Sequence, residues 1–175
     1  MLRIALLRHA KSSWAEPGLL DINRPLNARG KAAAPVMGRV LASLNFAPDA
    51  ILCSPAARTR ETLALLLPEL PERNGGASDA VFEDDLYLAE PGDLLARLRA
   101  LPETVKSVLV VGHNPGLHEL AARCAASGDI GQITKLHGAF PTAALALISF
   151  DQLAFKDLDP HSGHLETFVT PKDRA

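Results

Sequence analysis

Short apolar, β-branched runs alternate with longer segments of helical periodicity along this chain, and that alternation restricts the fold more than any other property of the sequence. The runs lie at Leu2 to Leu7, Ala50 to Cys53, Ala80 to Glu83, Ser107 to Val111 and Ala143 to Phe150, with a last one near His164 to Thr170. Helical patterns lie at Ala28 to Leu44, Pro55 to Leu67, Pro91 to Leu101 and Pro115 to Ala126. Parallel strands need a long crossover connection, and helices of this length supply it, so the pattern reads as βαβ units. The expected fold is α/β: a three-layer sandwich with a mainly parallel central sheet flanked by helices. Pro35 falls inside the first helical pattern, where it removes a backbone donor and either kinks or splits the helix. Pro68 to Asp79, with Pro71, Gly75 and Gly76, and Asp151 to Gly163 read as surface loops.

A chain of 175 residues has the size of one domain and can bury a core without cross-links. No repeat or long linker divides it, so residues 1–175 are expected to form a single domain. The formal net charge is -2 and the 18 Lys and Arg are scattered, which argues against a nucleic-acid partner, since such proteins concentrate basic residues on one stripe. Cys53 and Cys124 sit in apolar surroundings and cannot make a disulfide framework, which points to a reducing compartment. Met1 to Leu7 is too short for the apolar region of a signal peptide and runs into Arg8-His9-Ala10-Lys11 without a small-residue cleavage site. No apolar stretch reaches membrane-spanning length. A cytoplasmic protein with no membrane partner is the expectation.

Two of the predicted strands lead into histidines. Arg8-His9 closes the first and His113 closes the fourth, and the carboxyl ends of parallel strands open onto a common crevice. Ser54-Pro55 follows the second strand and Asn114-Pro115 follows His113. In each pair a good N-cap residue precedes a proline suited to the first helical position, so two helix N-termini are expected to face the crevice and favour an anion there. Arg58 lies in the first turn or so of the second helix. Two arginines, two histidines and two helix starts suit a dianion, each fixed charge about 4 Å away contributing roughly 4 kcal/mol at an effective dielectric near 20, before desolvation. Phosphate fits, and the guanidinium fork matches its oxygens. Neutral imidazole can attack phosphorus, and an ordinary pKa of about 6.5, pressed down by arginines, keeps His9 neutral at cellular pH. A protonated second imidazole, His113, could then stabilise the transferring group. Taken singly, Arg-His after a strand is most often ordinary loop and a lone histidine a satisfied polar group; the conjunction points to phosphate chemistry.

Other phosphate and hydrolase motifs fail on spacing. A cysteine phosphatase loop needs five residues between Cys and Arg, and from Cys53 the required position holds Thr59. A Walker loop needs Gly-Lys-Ser/Thr, but Gly30-Lys31 is followed by Ala32. Gly112-His113-Asn114-Pro115-Gly116 has the glycine spacing of a hydrolase elbow with Asn114 where the nucleophile belongs. Asp157, Asp159, His161 and His164 lie in a polar loop beside Pro160 and Gly163, where a solvated turn is commoner than a metal site. Trp14, the one tryptophan, either packs over the cleft mouth or fills a gap.

Leu7-Arg8-His9-Ala10, Arg24-Pro25-Leu26 with Gly30, Ser54 through Thr62, Val111-Gly112-His113-Asn114-Pro115 and Phe140-Pro141-Thr142-Ala143 run in order along nearly the whole chain. Together they resemble the histidine phosphatase superfamily, and within it the small SixA-type phosphohistidine phosphatase branch. The resemblance implies a phosphoglycerate mutase-like fold, His9 as the phosphorylated nucleophile, and Arg8, Arg58 and His113 as ligands of the phosphoryl group, with no metal or other cofactor. It also implies Arg24, a motif arginine of the branch, as a further phosphate contact. The widespread first motif has Gly where this chain has Ala10, a methyl group that is tolerated if the local φ is negative.

Superfamily members acting on alkyl phosphates generally use a carboxylic acid between the second arginine and second histidine motifs. The interval from Arg58 to His113 offers Glu83, Asp84, Asp85, Glu90 and Asp93; Glu90, just before Pro91 opens a helix, is the best-placed possible general acid, though a surface capping role suits it equally. The interval is also too short for a large cap insertion, so the cleft is expected to be shallow. Imidazole leaving from a P–N bond needs less help than an alkoxide. The leading expectation is therefore a phosphatase acting on protein phosphohistidine, such as a histidine-containing phosphotransfer protein. The alternatives are a small-molecule or phosphopeptide monoesterase using Glu90, and a noncatalytic phosphate-binding module; a mutase, which calls for an enclosed site, fits less well.

Overall fold

In chain order, β1 (Leu2–Arg8) is followed by α1 (Ala28–Ser43), β2 (Ala50–Cys53), α2 (Ala57–Leu66), β3 (Ala80–Phe82), α3 (Pro91–Arg99), β4 (Ser107–Gly112), α4 (Gly116–Cys124), β5 (Ser127–Gly128), α5 (Ile130–Gly138), β6 (Leu145–Phe150) and β7 (His164–Val169). The structure is a computed structural model and describes residues 1–71 and 79–174. The seven strands of the described residues join one sheet in the order β3-β2-β4-β1-β6-β7-β5. β3, β2, β4 and β1 are parallel, as their helical crossovers require, and β5 is parallel to β7. β6 alone reverses direction, antiparallel to both β1 and β7.

Period-two alternation sorts β1 between two cores. Leu2, Ile4 and Leu6 face one side with Leu94 of α3, Leu117 of α4 and Leu136 of α5; Ala5 and Leu7 face the other with Met37 and Leu41 of α1 and Leu63 and Leu66 of α2. This is the expected three-layer sandwich with a mostly parallel sheet, and the described residues carry no large insertion above it.

α1 starts at an Asn27 cap, whose Oδ1 accepts from the Gly30 N–H at 2.9 Å. It is not split at Pro35. The lost backbone bond and ring clash cost about 3 kcal/mol, whereas the buried face of α1, Met37, Val40 and Leu41 among others, contributes roughly 1.5–3 kcal/mol per large side chain. Gly30 is required for another reason: a Cβ there would lie 2.1 Å from the Lys11 carbonyl oxygen, so the start of α1 packs directly on the chain leaving β1.

Several expectations need correction. The helix after Ser54-Pro55 begins at Ala57 and the one after Asn114-Pro115 at Gly116; neither Ser54 nor Asn114 is the N-cap, and the Asn114–Pro115 bond is cis. Asp151 to Gly163 is more than a surface loop: it turns through a short 3-10 helix at Phe155–Asp157, buries Phe155 and Leu158, and is tied to α3 where Arg99 Nη2 donates to the Leu158 carbonyl at 2.7 Å. The Pro68 to Asp79 loop begins as a 3-10 turn at Leu67–Glu69, and its residues 72–78, with Gly75 and Gly76, lie outside the described residues. α5 and β5 are elements that hydrophobic periodicity does not reveal, because only Leu136 of α5 is buried and β5 has two residues. Asp129, whose side chain caps α5 through the Gln132 N–H, was the available signal. Among the described residues, no helix is long and apolar enough to cross a membrane.

Candidate active site

The register of β1 on β4 aligns Arg8 with Gly112, and the His9 N–H continues the ladder to the Gly112 carbonyl at 3.1 Å. The two histidines expected at strand ends are therefore neighbours, with ring centroids 5.4 Å apart. β2 ends level with them, Ser54 N–H donating to the Val111 carbonyl at 3.1 Å. α2 then brings Arg58 to the same place from its second position. The chain leaving β1 is tied to that helix: Ala10 N–H donates to Thr62 Oγ1 at 3.0 Å, and Thr62 Oγ1 donates to the Arg58 carbonyl at 2.6 Å. Ala10 is not among the residues with positive φ, so its methyl group stands where the widespread motif has glycine without backbone strain.

Hydrogen bonding sets the state of each ring. The His9 Nδ1 lies 2.7 Å from the Ala10 carbonyl oxygen, which only accepts, so Nδ1 carries the proton and Nε2 of the neutral ring carries the lone pair. Burial, with Arg58, Arg8 and Arg24 nearby, lowers the His9 pKa to about 4 against the opposing hydrogen bond to Ala10. His113 is fixed the other way round. Arg58 Nη2, which only donates, lies 3.3 Å from its Nδ1, so Nε2–H donates to Ser54 Oγ at 2.7 Å. Ser54 is thus an orienting group for His113 rather than a helix cap.

Burial and Arg58 lower the His113 pKa to about 3, so in the unliganded site both rings are neutral. A proton gained on binding a dianion would go to Nδ1, turning an acceptor beside Arg58 into a donor. Because the unfolded rings titrate near 6.5, the unfolded chain binds more protons between pH 6.5 and 4. The stability of the unliganded fold is full above pH 6.5 and falls as pH drops toward 4, by roughly 3 kcal/mol from His9 alone. Two-dimensional NMR titration should place both imidazole midpoints more than a unit below 6.5; a midpoint at 6.5 for either ring contradicts this burial.

The arginines divide the work. Arg58 is almost fully buried; its Nη1 donates to the Asp21 carbonyl at 2.7 Å and its Nη2 to Asp21 Oδ2 at 3.0 Å, while its Nε has no partner. Arg8 uses Nη1 on the Phe140 carbonyl at 3.1 Å, and its buried Nε is likewise unpartnered. Burial and Arg58 lower the Arg8 pKa, so the two guanidiniums stand close enough to repel, a repulsion a bound dianion would reverse. Arg24 lines the same cavity, and each of its nitrogens makes one bond: Nε to the Ser13 carbonyl, Nη1 to Asp21 Oδ1 at 2.8 Å and Nη2 to Ser12 Oγ. These bonds use three of its five N–H groups, so Arg24 adds charge, holds its neighbours and keeps one N–H on each Nη. Trp14 lies at the cavity mouth, 75% exposed, with the Arg24 guanidinium stacked 3.3 Å over its ring.

The residue that sequence reasoning missed is Asp21. It lines the cavity and takes hydrogen bonds from Arg24, Arg58 and the Tyr87 hydroxyl. Tyr87 and Arg58 hold its carboxyl below the usual range. Its three-residue spacing before Arg24 was the available signal. Three guanidiniums against this one carboxylate leave the cavity, about 360 Å3 in volume, with uncompensated positive charge. Glu90 is elsewhere: exposed at the N-cap of α3 without a side-chain cap bond, it lines a separate cavity with Glu83 and Arg97. Cys53 and Cys124 are buried free thiols that burial pushes up to about 12. In the polar segment around Pro160, Asp159 accepts from the His161 N–H and His164 Nδ1 pairs with Ser127 Oγ. Among the described residues no three His, Cys, Asp or Glu are grouped to hold an ion.

This geometry agrees with what the chain resembles. Residues 4–78 match the sequence profile of the histidine phosphatase superfamily, branch 1. A solved structure from Agrobacterium tumefaciens, assigned to the SixA phosphohistidine phosphatases, is 34% identical, with 97% of this chain and 98% of that chain covered and a TM-score of 0.76. The structure of the protein histidine phosphatase SixA complexed with tungstate, 23% identical, covers 99% and 100% of the two chains with a TM-score of 0.76 and shares the fold. An uncharacterized protein of Mycobacterium tuberculosis is 33% identical over 168 residues, 95% of this chain and 100% of its own length. The chain belongs to the histidine phosphatase superfamily, and its reaction class is that of a phosphatase.

Proposed function

We infer that this chain is a metal-independent phosphatase that removes the phosphoryl group from phosphohistidine on a protein through a covalent phospho-His9. The observation that carries the reading is the lack of a usable acid among the described residues lining the cavity. Asp21, its one carboxylate, is held ionised by Tyr87 and Arg58, and Glu90 faces another cavity. An alkoxide leaving group needs a proton donor at the moment of bond breaking. An imidazole leaving from phosphorus carries the electron pair far better and can take its proton from water.

The His9 Nε2 lone pair attacks phosphorus while the P–N bond to the substrate imidazole breaks, its electron pair staying on that nitrogen. Arg8, Arg58 and His113 bind the transferring group, with Arg24 adding charge and holding Asp21. Water then attacks phospho-His9, phosphate leaves, and the pair returns to Nε2. The charge a metal would neutralise is met by guanidiniums. Tungstate bound to the SixA neighbour, a tetrahedral oxyanion, and the assignment of the Agrobacterium protein support the substrate class. So does the mouth: Leu88, 49% exposed, and Trp14 border an open cavity that a phosphate on a protein side chain can enter. The substrate we favour is a histidine-containing phosphotransfer protein in the reducing cytoplasm; a small phosphorylated molecule is the second class.

Incubating the enzyme with a radiolabelled phosphotransfer domain should release phosphate and trap label on His9 that is acid-labile and base-stable. Glu90→Gln should leave this turnover within about twofold of wild type, since the side chain stands outside the cavity. Loss of activity in Glu90→Gln, or release of phosphate from alkyl esters in preference to phosphohistidine, would favour the monoesterase reading. Binding without turnover would favour a phosphate-binding module.

A further inference from the structure

Beside the catalytic cavity runs a second groove of about 330 Å3, and Lys11 and Thr142 line both. Its floor includes Ala143 and Phe168, buried apolar side chains. Its cations come from four places in the chain: Lys11 after β1, Arg29 on α1, Lys135 on α5 and Lys172 after β7. None of its lining residues is acidic. Asp173 pairs with Lys135, Nζ to Oδ1 at 2.5 Å, whereas no ion pair engages Lys11, Arg29 or Lys172 among the described residues. In a chain of net charge -2 this is a local inversion of sign, continuous with the mouth of the active site.

We propose that this groove docks an acidic segment of the phosphoprotein substrate beside its phosphohistidine. The inference rests on the phosphohistidine reading above and extends it to substrate selection. Cations set apart on separate elements around an apolar floor do not converge on one small anion as Arg8 and Arg58 do. They suit a stretch of chain whose acidic side chains reach the rim while an apolar one covers Phe168. Lys11, two residues beyond His9, joins the docked segment to the phosphate being cleaved.

The test compares two phosphohistidine peptides of equal length, flanked either by Asp, Glu and Leu or by Lys and Leu, with phosphoramidate as a substrate too small to reach the groove. The wild-type enzyme should prefer the acidic peptide by about tenfold in kcat/KM at low salt, expressed in KM, and the preference should shrink at high salt. Arg29→Glu combined with Lys172→Glu should erase or invert it while phosphoramidate turnover stays within about twofold. Equal rates on the two peptides in wild type would overturn the docking proposal and leave the phosphohistidine reading intact. If neither peptide is turned over while an alkyl phosphate is, the phosphohistidine reading itself fails. A wild-type dimer in sedimentation that the double variant dissociates would show a second copy in the groove, and would also overturn the proposal.

Discussion

Replacing His9 with alanine should lower turnover of a phosphohistidine protein by about 10⁴-fold or more, the scale of losing a covalent nucleophile from a site whose parts act as a unit. Among the described residues lining the cavity, His9 alone presents a neutral nitrogen lone pair with its other nitrogen pinned to a carbonyl. His113 cannot substitute, because its Nε2–H is held by Ser54 and its Nδ1 faces Arg58. Phosphate binding should survive, since Arg8, Arg58 and His113 remain. The result to look for is therefore a large fall in kcat, no trapped label, and inhibition by inorganic phosphate close to that of wild type. Turnover within tenfold of wild type would end the covalent mechanism. The fold should tolerate the change, because the lost bond to the Ala10 carbonyl is worth about 1 kcal/mol and the small cavity opens toward solvent.

The second large effect is expected at Gly116, the first residue of α4. A Cβ there would lie 1.9 Å from the Ala89 carbonyl oxygen, a backbone atom that moves only if the whole segment moves. Gly116→Ala should destabilise the protein by about 3 kcal/mol, at the upper end for overpacking, and lower Tm by roughly 6–12 °C. Activity should fall with it, because the displaced segment carries Tyr87, which holds Asp21, and Leu88, which borders the cavity. Gly92→Ala is the control: nothing lies within 4 Å of a Cβ at that position in α3, so the change should be neutral or stabilising by up to about 1 kcal/mol. Thermal unfolding of the two variants decides it, and equal Tm values would refute the packing argument.

These two glycines show how far local pattern reaches. Nothing in the letters separates Gly116 from Gly92, since both open helices after a proline-marked turn; only the approach of residues 89 and 90 to α4 does. The same holds for the two Pro-marked helix starts. Ser54 has the chemistry of a cap, and a cap is what a short-range reading finds, but in the folded chain its hydroxyl is occupied by the His113 ring. Asp21 is a plain turn residue until α2 and the segment after β3 bring Arg58 and Tyr87 against it. Likewise β6 looks like any other apolar run, and its direction, antiparallel to β7, follows from pairing with it through a connection that holds a 3-10 turn but no α-helical crossover.

What the sequence by itself determined were quantities set by near neighbours. Alternating apolar runs specified the strands, helical periodicity the crossovers, and strand-end position the meeting of His9 and His113, because in a parallel sheet the carboxyl ends share one side whatever the details of packing. Arg8 and Arg58 followed from the same logic. The tertiary structure decided which groups are neutral, which donors are free and which acid is near. Ring protonation depends on desolvation, and a carboxylate's state depends on charges a few ångströms away, both set by elements distant in the chain. The place of His9 after β1 was therefore legible, and with it the nucleophile we propose, whereas the neutral pair of rings and the ionised Asp21, on which the proposed choice of leaving group turns, exist only once the layers have closed.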